Sequence, residues 1–398
     1  MNIRSVLEKM IAARGSDLHL KAGSPPVVRV DGVLYTLDEP APTSQDLREV
    51  GNQLLNEEQR LYFSTHSEID FAFGVSGLAR FRANIFMQRG TPALALRHVP
   101  VEVPTLEDLG LPPSVRDLAF SPRGLLLVTG RTGSGKSTTL AAMIDTINRT
   151  TTRNVITVED PIEFLHRDRL SFIHQREVGL DTASFHDGLR YVLRQDPDII
   201  LVGEIRNLET MGTALMAADT GHVVMSTLHT TDVVQSIQRI ISFYPPHQHD
   251  EIRMSLAANL RAVISQRLIP RKDGAGRVPA VEVMVSTPTM REYILDPEKI
   301  PLLHNLIAEG VTQYGMQTFD QSVLALLREG IITEEEALRN CNNPNELSLK
   351  LKGISATSDR TWQAVDAATP AKEPVADSAG TSGSQAAGGS KKDWMSRE

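Results

Sequence analysis

The chain has 398 residues, too many for one ordinary domain, and 41% of them are hydrophobic, which suits two or three soluble domains with sizeable cores. Lysine and arginine total 41 against 49 aspartates and glutamates, so the net charge of -8 argues against a generally basic nucleic-acid binder. One cysteine excludes a disulfide framework and a tetracysteine metal site within the chain, and no apolar run is long enough to span a membrane.

Ile3, Val6, Leu7, Met10 and Ile11 fall at helical spacing and predict a short amphipathic helix that Gly15 ends. Charges are spread through this segment, so no secretory signal is expected, and the reading is a cytoplasmic protein that meets a membrane only through a partner. Strand-like runs follow at 17–21 and 27–30, and Asp31-Gly32 ahead of 33–37 is a hairpin signal. With further strands at 69–75 and 78–88, residues 1–98 read as a small α+β domain. Pro100, Pro104, Pro112 and Pro113 mark 99–113 as a linker.

Beyond the linker, apolar runs at 125–129, 155–158, 199–202 and 223–227 alternate with helical stretches. That pattern predicts a largely parallel sheet covered on both faces. From Glu251 the expectation is mainly helical, because Ile252, Leu256, Leu260, Val263, Ile264 and Leu268 recur at spacings of three and four. A glycine-rich turn at 272–277 and helices near 288–295, 301–309, 319–329 and 334–340 come next. Residues 354–398 are too small and polar to offset the entropy of ordering and are expected to be disordered.

The eight residues from Gly130 to Ser137 fit G-x-x-x-x-G-K-[ST] in full, between an apolar strand and a helix. In that context Gly130, Arg131, Thr132, Gly133, Ser134 and Gly135 turn backbone N–H groups inward around phosphate oxygens. Lys136 bridges the β- and γ-phosphates, Ser137 ligates Mg²⁺, and Thr138 continues the helix start. Residues 196–204 form an apolar strand ending in Glu204, where such ATPases keep a carboxylate for Mg²⁺ and its water. Glu159, Asp160 and Glu163 crowd the end of the 155–158 strand, and one of them is a candidate general base. Arg190 and Arg194 are four apart on an expected helix, so either they pair ions on a solvated face or they reach γ-phosphate charge in a neighbouring subunit. His222 and His229 flank the 223–227 strand. His247 and His249 lack a second ligand pair for a structural metal.

Taken together and in this order, the stretches 15–20, 130–139, 156–163, 175–179, 193–198, 202–206, 220–222, 226–229 and 315–320 resemble the type IV pilus retraction ATPases, the PilT family with its paralogue PilU, in the secretion-ATPase superfamily. The resemblance spans residues 1 to about 353. It implies a PAS-like N-terminal domain (1–98) and a RecA-like ATPase domain with a helical C-terminal part (114–353), assembled as a homohexamer. It implies ATP hydrolysis with Mg²⁺ to power pilus retraction and twitching motility, through an inner-membrane platform protein (PilC-like) and possibly with a paralogous retraction ATPase.

Carried onto this chain, the resemblance makes Glu163 the activator of water and Glu204 the Walker B acid. His222 and His229 are similar to the family's His-box, with His229 near the γ-phosphate. Arg190 and Arg194 match arginines near the nucleotide, and Arg80, Arg82 and Arg97 match N-terminal arginines that approach it as the domains close. Arg131 replaces the family's usual proline, and residues 289–296 follow its retraction motif only loosely. The main motor and an accessory paralogue are both open at this point, as is an extension or type II secretion ATPase of the same fold. Those last relatives usually carry a tetracysteine insert, which a single cysteine argues against. A RecA-type nucleic-acid motor would want an aromatic and basic single-strand platform. A non-hydrolysing scaffold would be expected to lose Lys136 or Glu163, and both are present.

Overall fold

Two sheets carry the architecture of this computed structural model, which describes residues 1–30, 32–100 and 102–352. The segment expected to be disordered, 354–398, lies outside the described residues, as do Asp31 of the hairpin and Val101 of the linker.

The first sheet is antiparallel. Its strands are β1 (Asp17–Lys21), β2 (Ser24–Val30), β3 (Val33–Thr36), β4 (Glu68–Val75), β5 (Ala79–Gln88) and β6 (Thr91–Val99), in the order β3-β2-β1-β6-β5-β4. Alternation along β5 buries Phe81, Ala83 and Ile85 beneath the helices Ile3–Ala12 and Ser44–Leu54, which contribute Leu7, Met10, Leu47 and Val50 to one core. The opposite face of β5 presents Arg80 and Arg82. Two helices escaped the periodicity reading although both carry sequence-level start signals. Thr43 with Asp46 and Asn56 with Gln59 form reciprocal capping boxes at Ser44–Leu54 and Glu57–His66.

The second sheet holds β7 (Gly124–Thr129), β8 (Asn154–Glu159), β9 (Phe172–Glu177), β10 (Ile199–Val202), β11 (Val223–Leu228), β12 (Leu260–Pro270) and β13 (Arg277–Val285). Their order is β13-β12-β7-β11-β10-β8-β9, parallel throughout except for β13. Every residue of β7, β10 and β11 is buried, as continuous apolar runs between helical layers require. Leu106, inside the expected linker, and Val115 and Leu118 after it belong to this second core.

The expected helix through Leu268 is corrected here. The helix is His249–Asn259, and the chain passes straight into β12 at Leu260. Ala262, Val263, Ile264, Ser265 and Gln266 are all buried, so both faces of the strand are covered and no period-two alternation marks it. The C-terminal part is therefore a β12–β13 hairpin plus helices, with the glycine-rich turn at its tip.

Phe81 is fully buried at the centre of the first core. Phe81→Ala should lower stability by about 3–5 kcal/mol, read as a shift of the urea midpoint of the first unfolding transition.

Candidate functional site

Register places the chemistry. Thr129 pairs with Leu228, Val202 with Ser226, and Val202 with Val158, so β7 and β11 end level and β10 and β8 end within two residues of them, at the same edge of the sheet. The phosphate loop leaves β7 there, Gly203-Glu204 leaves β10, His229 leaves β11, and Glu159 closes β8 at the same rim. In an open α/β sheet this rim is where ligands bind. A cleft of about 590 Å³ lies over it. The second sheet lines it with Thr132, Lys136, Ser137, Glu163, Glu204 and His229, and the first sheet with Arg82, Arg97 and His98.

The loop is shaped by backbone that only glycine adopts readily. Gly130 has φ 144°, Gly133 78° and Gly135 91°, and a Cβ on Gly130 would stand 2.5 Å from the Gln266 carbonyl oxygen. The helix Lys136–Thr150 starts at the end of this turn, with no side-chain cap on its first N–H groups. Lys136 is buried and donates from Nζ to the carbonyls of Gly130 (2.9 Å) and Arg131 (3.2 Å). Burial pulls its pKa down, and the Glu204 carboxylate works the other way.

Glu204 accepts from Arg206 Nη2 at 2.8 Å and lies 3.1 Å from His229 Nε2. Burial pushes its carboxyl up, but the Arg206 and His229 contacts together outweigh burial and hold it below its ordinary value. Glu159 differs. It is buried, which pushes its pKa up despite bonds from Thr157 Oγ1 (2.7 Å) and Gln175 Nε2 (3.2 Å). A buried acid held by neutral donors is a scaffold for the loop around Glu163, whose N–H it accepts at 3.4 Å. Glu163 itself is half-exposed and meets Arg82 Nη1 at 3.1 Å. His98 and His166 also line the cleft; burial lowers both, His166 to about 4, so both are neutral at physiological pH.

The structure separates some residues that the sequence grouped. Arg97 lines the cleft and donates to Asp17 at 2.8 Å. Arg80 does not line it and is bound to Glu177 at 2.9 Å, a partly buried arginine on a buried carboxylate that links the two sheets. His222 precedes β11 and its carbonyl accepts from Gly124 N–H, so it sits at the opposite end of the sheet, roughly 20 Å from the rim by strand rise. Within one chain, His222 is not part of the cleft. The pairing of Arg190 and Arg194 on one helix is also corrected, because the helix Phe185–Val192 ends before Arg194. Both are exposed and neither lines the cleft. Arg206 and Glu177 fall within the stretches 202–206 and 175–179, and Arg277 ends the 272–277 turn, but the sequence assigned none of the three a site role. Of these only Arg206, two residues after Glu204, carried a local signal.

The chain matches the family described as "Type II/IV secretion system protein" over residues 3–339. It is 43% identical over 344 residues to the type IV pilus retraction ATPase PilT of Pseudomonas aeruginosa, covering 86% of this chain and 99% of that one. Against the type IV pilus ATPase PilU of the same organism it is 40% identical over 361 residues, covering 90% and 93%. The crystal structure of the pilus retraction motor PilT with bound ADP superposes with a TM-score of 0.81 at 44% identity, covering 87% of this chain and 99% of that one.

Because Glu177 is buried and also accepts from Ile162 N–H at 3.2 Å, removing Arg80 leaves a buried charge without its counter-ion. Arg80→Ala should cost about 3 kcal/mol or more. Adding Glu177→Gln should recover part of the loss, and a double-mutant cycle in urea checks both.

Proposed function

This chain belongs to the type II/IV secretion system protein family, and within it we propose an ATP-hydrolysing motor that drives type IV pilus retraction. One observation carries the reading: strand register sets the phosphate loop, Glu204 and Glu163 around a single cleft of nucleotide size. The relatives named PilT and PilU support the retraction role.

ATP lies in the cleft with its β- and γ-phosphates on the loop N–H groups. Lys136 swings its ammonium from the loop carbonyls to the phosphate oxygens. Ser137 and Glu204 line the same cleft and fit Mg²⁺, a hard cation that takes few protein oxygens beside substrate phosphates. Bound there, the ion would supply positive charge against the phosphates during transfer. Glu163, freed from Arg82, takes the proton of a water that attacks the γ-phosphorus, and the β–γ bridging oxygen leaves with ADP. Arg82 and Arg97 gain phosphate or ribose contacts on the first-sheet side, so nucleotide favours closure of 1–98 on 114–353 about the linker 99–113. His229 steadies Glu204 beside the γ-phosphate.

A homohexameric ring accommodates the residues that the cleft of one chain leaves out. Arg190 and Arg194 are exposed and act across a subunit boundary, with His222 on the subunit surface. Among the described residues no helix is long and apolar enough to cross a membrane. In this reading the ring passes force to an inner-membrane platform protein from its cytoplasmic side. A second reading, an accessory retraction ATPase that works beside a paralogue, is favoured by the loosely matched stretch 289–296, which forms the helix Pro288–Leu295.

Lys136→Ala should abolish turnover and weaken nucleotide binding. Glu163→Gln should still bind ATP and hydrolyse it about 10²–10⁴-fold more slowly, measured by phosphate release. Wild-type turnover in Glu163→Gln removes that residue from the base role. Turnover should rise steeply with protein concentration, and mixing Arg194→Ala with Glu163→Gln subunits should restore part of it. Loss of pilus retraction on deletion of the gene supports the main-motor reading, whereas retraction weakened only under load supports the accessory one.

A further inference from the structure

A second cavity of about 710 Å³ lies against the same phosphate loop. Thr132, Gly133, Leu268 and Arg277 line both cavities, while Arg131, Ser134, Gln266 and Arg267 line only this one. Its character is cationic. Arg131, Arg267 and Arg277 face it, and none of the three forms an ion pair among the described residues. Arg267 is fixed by neutral partners only: it donates to the Asn340 carbonyl (2.6 Å) and to Asn342 Oδ1 (2.7 Å), with its guanidinium 3.8 Å over the Phe319 ring. A fourth arginine, Arg339, is already bound by Glu335 and Glu336.

Two buried oxygens in the lining are unpartnered. Ser134 and Gln266 are 6% and 2% exposed, and neither Ser134 Oγ nor Gln266 Oε1 has a hydrogen-bond partner. The Gln266 amide is held in place by its other end, which donates from Nε2 to Thr139 Oγ1 at 2.9 Å. Buried polar atoms are normally paired, because desolvating one without a partner is costly. A hydroxyl that can donate, an amide oxygen that can accept, and the guanidinium groups of Arg131 and Arg277 together match one ligand chemistry, while the charge of Arg267 is partly offset by the carboxylates of Glu282, Asp320 and Asp232. Guanidinium groups take phosphate oxygens in a fork geometry. Ser134 Oγ donates to another oxygen, and Gln266 Oε1 accepts the remaining P–O–H proton.

We propose that this cavity is a binding site for a phosphate oxyanion, separate from the nucleotide cleft and joined to it across Thr132-Gly133. Its occupant is inorganic phosphate, either the product leaving the cleft over the loop tip or phosphate taken from solution. An anion held there opposes the positive charge of Arg131 and Arg277 beside the loop, so its occupancy couples to nucleotide exchange. The site itself does not depend on hydrolysis in the cleft; only the product source rests on the function proposed above.

The test uses the full chain saturated with ADP, so that the loop is occupied, and equilibrium dialysis against ³²P-labelled inorganic phosphate. One further phosphate should bind per chain. Arg131→Ala and Arg277→Ala should each weaken it about tenfold, as for loss of a charge-assisted bond. Both arginines are exposed, and their variants are checked for fold by circular dichroism and the urea midpoint. No phosphate beyond ADP, or phosphate binding unchanged in both variants, overturns the proposal. A single turnover with [γ-³²P]ATP in the presence of a phosphate-scavenging enzyme then separates the sources. Label retained on the protein assigns the product, and label lost there but bound when added free assigns solution phosphate; either supports the site. A chain that hydrolyses no ATP yet passes the dialysis test overturns the motor reading and leaves the site standing.

Discussion

Everything in the cleft depends on the register that brings the C-terminal ends of four parallel strands to one edge of the sheet. A parallel ladder fixes the relative height of its strands through evenly spaced backbone bonds. Once Thr129 stands beside Leu228 and Val202 beside Ser226, the first loop residues of all four strands share one rim. Side chains far apart in sequence, Lys136, Glu163, Glu204 and His229, therefore converge without any side chain having to specify the meeting. The apolar runs that bury both faces of the sheet hold that register, so core packing and the positions of the reacting groups are one constraint. A one-residue slip of any of these strands would turn its side chains to the other face as well as displace its terminal group.

Within that frame the charges balance locally. Lys136 rests on the loop's own carbonyls, and Glu204 is shared between Arg206 and His229. Glu163 is held by Arg82. Each of the three charged groups expected to meet nucleotide or water already has a partner that can let go. Glu159, which neutral side-chain donors hold, shapes the loop around Glu163.

The phosphate loop and Glu204 were legible in the sequence because each is a local pattern attached to an apolar strand. The strand β12 was not, since burial on both faces erases alternation and leaves a run that also suits a helix face. The two flanking histidines of β11 show a different limit. Seven residues is close in sequence, but an extended strand carries its ends to opposite sides of the sheet, so His229 reaches the cleft and His222 does not. Pairs such as Arg80 with Glu177, 97 residues apart, have no local signature at all. The start signals at Thr43 and Asn56 were present in the sequence and simply weaker to the eye than hydrophobic periodicity.

Arg80 and Arg82 stand two residues apart on the same face of β5, yet they grip the second sheet differently. One is clamped to the buried Glu177, the other to the half-exposed Glu163. If the Glu163 contact is released as proposed while the Glu177 contact holds, the strand can swing but cannot slide as a whole. The fastened arginine then acts as a fulcrum about two residues from the releasable contact, roughly 7 Å along the strand. In the proposed closure, a small exchange of partners at Glu163 would be geared into a larger arc at β3, the edge strand far from β5. The amplitude of any stroke is set by sheet width rather than by the size of the nucleotide.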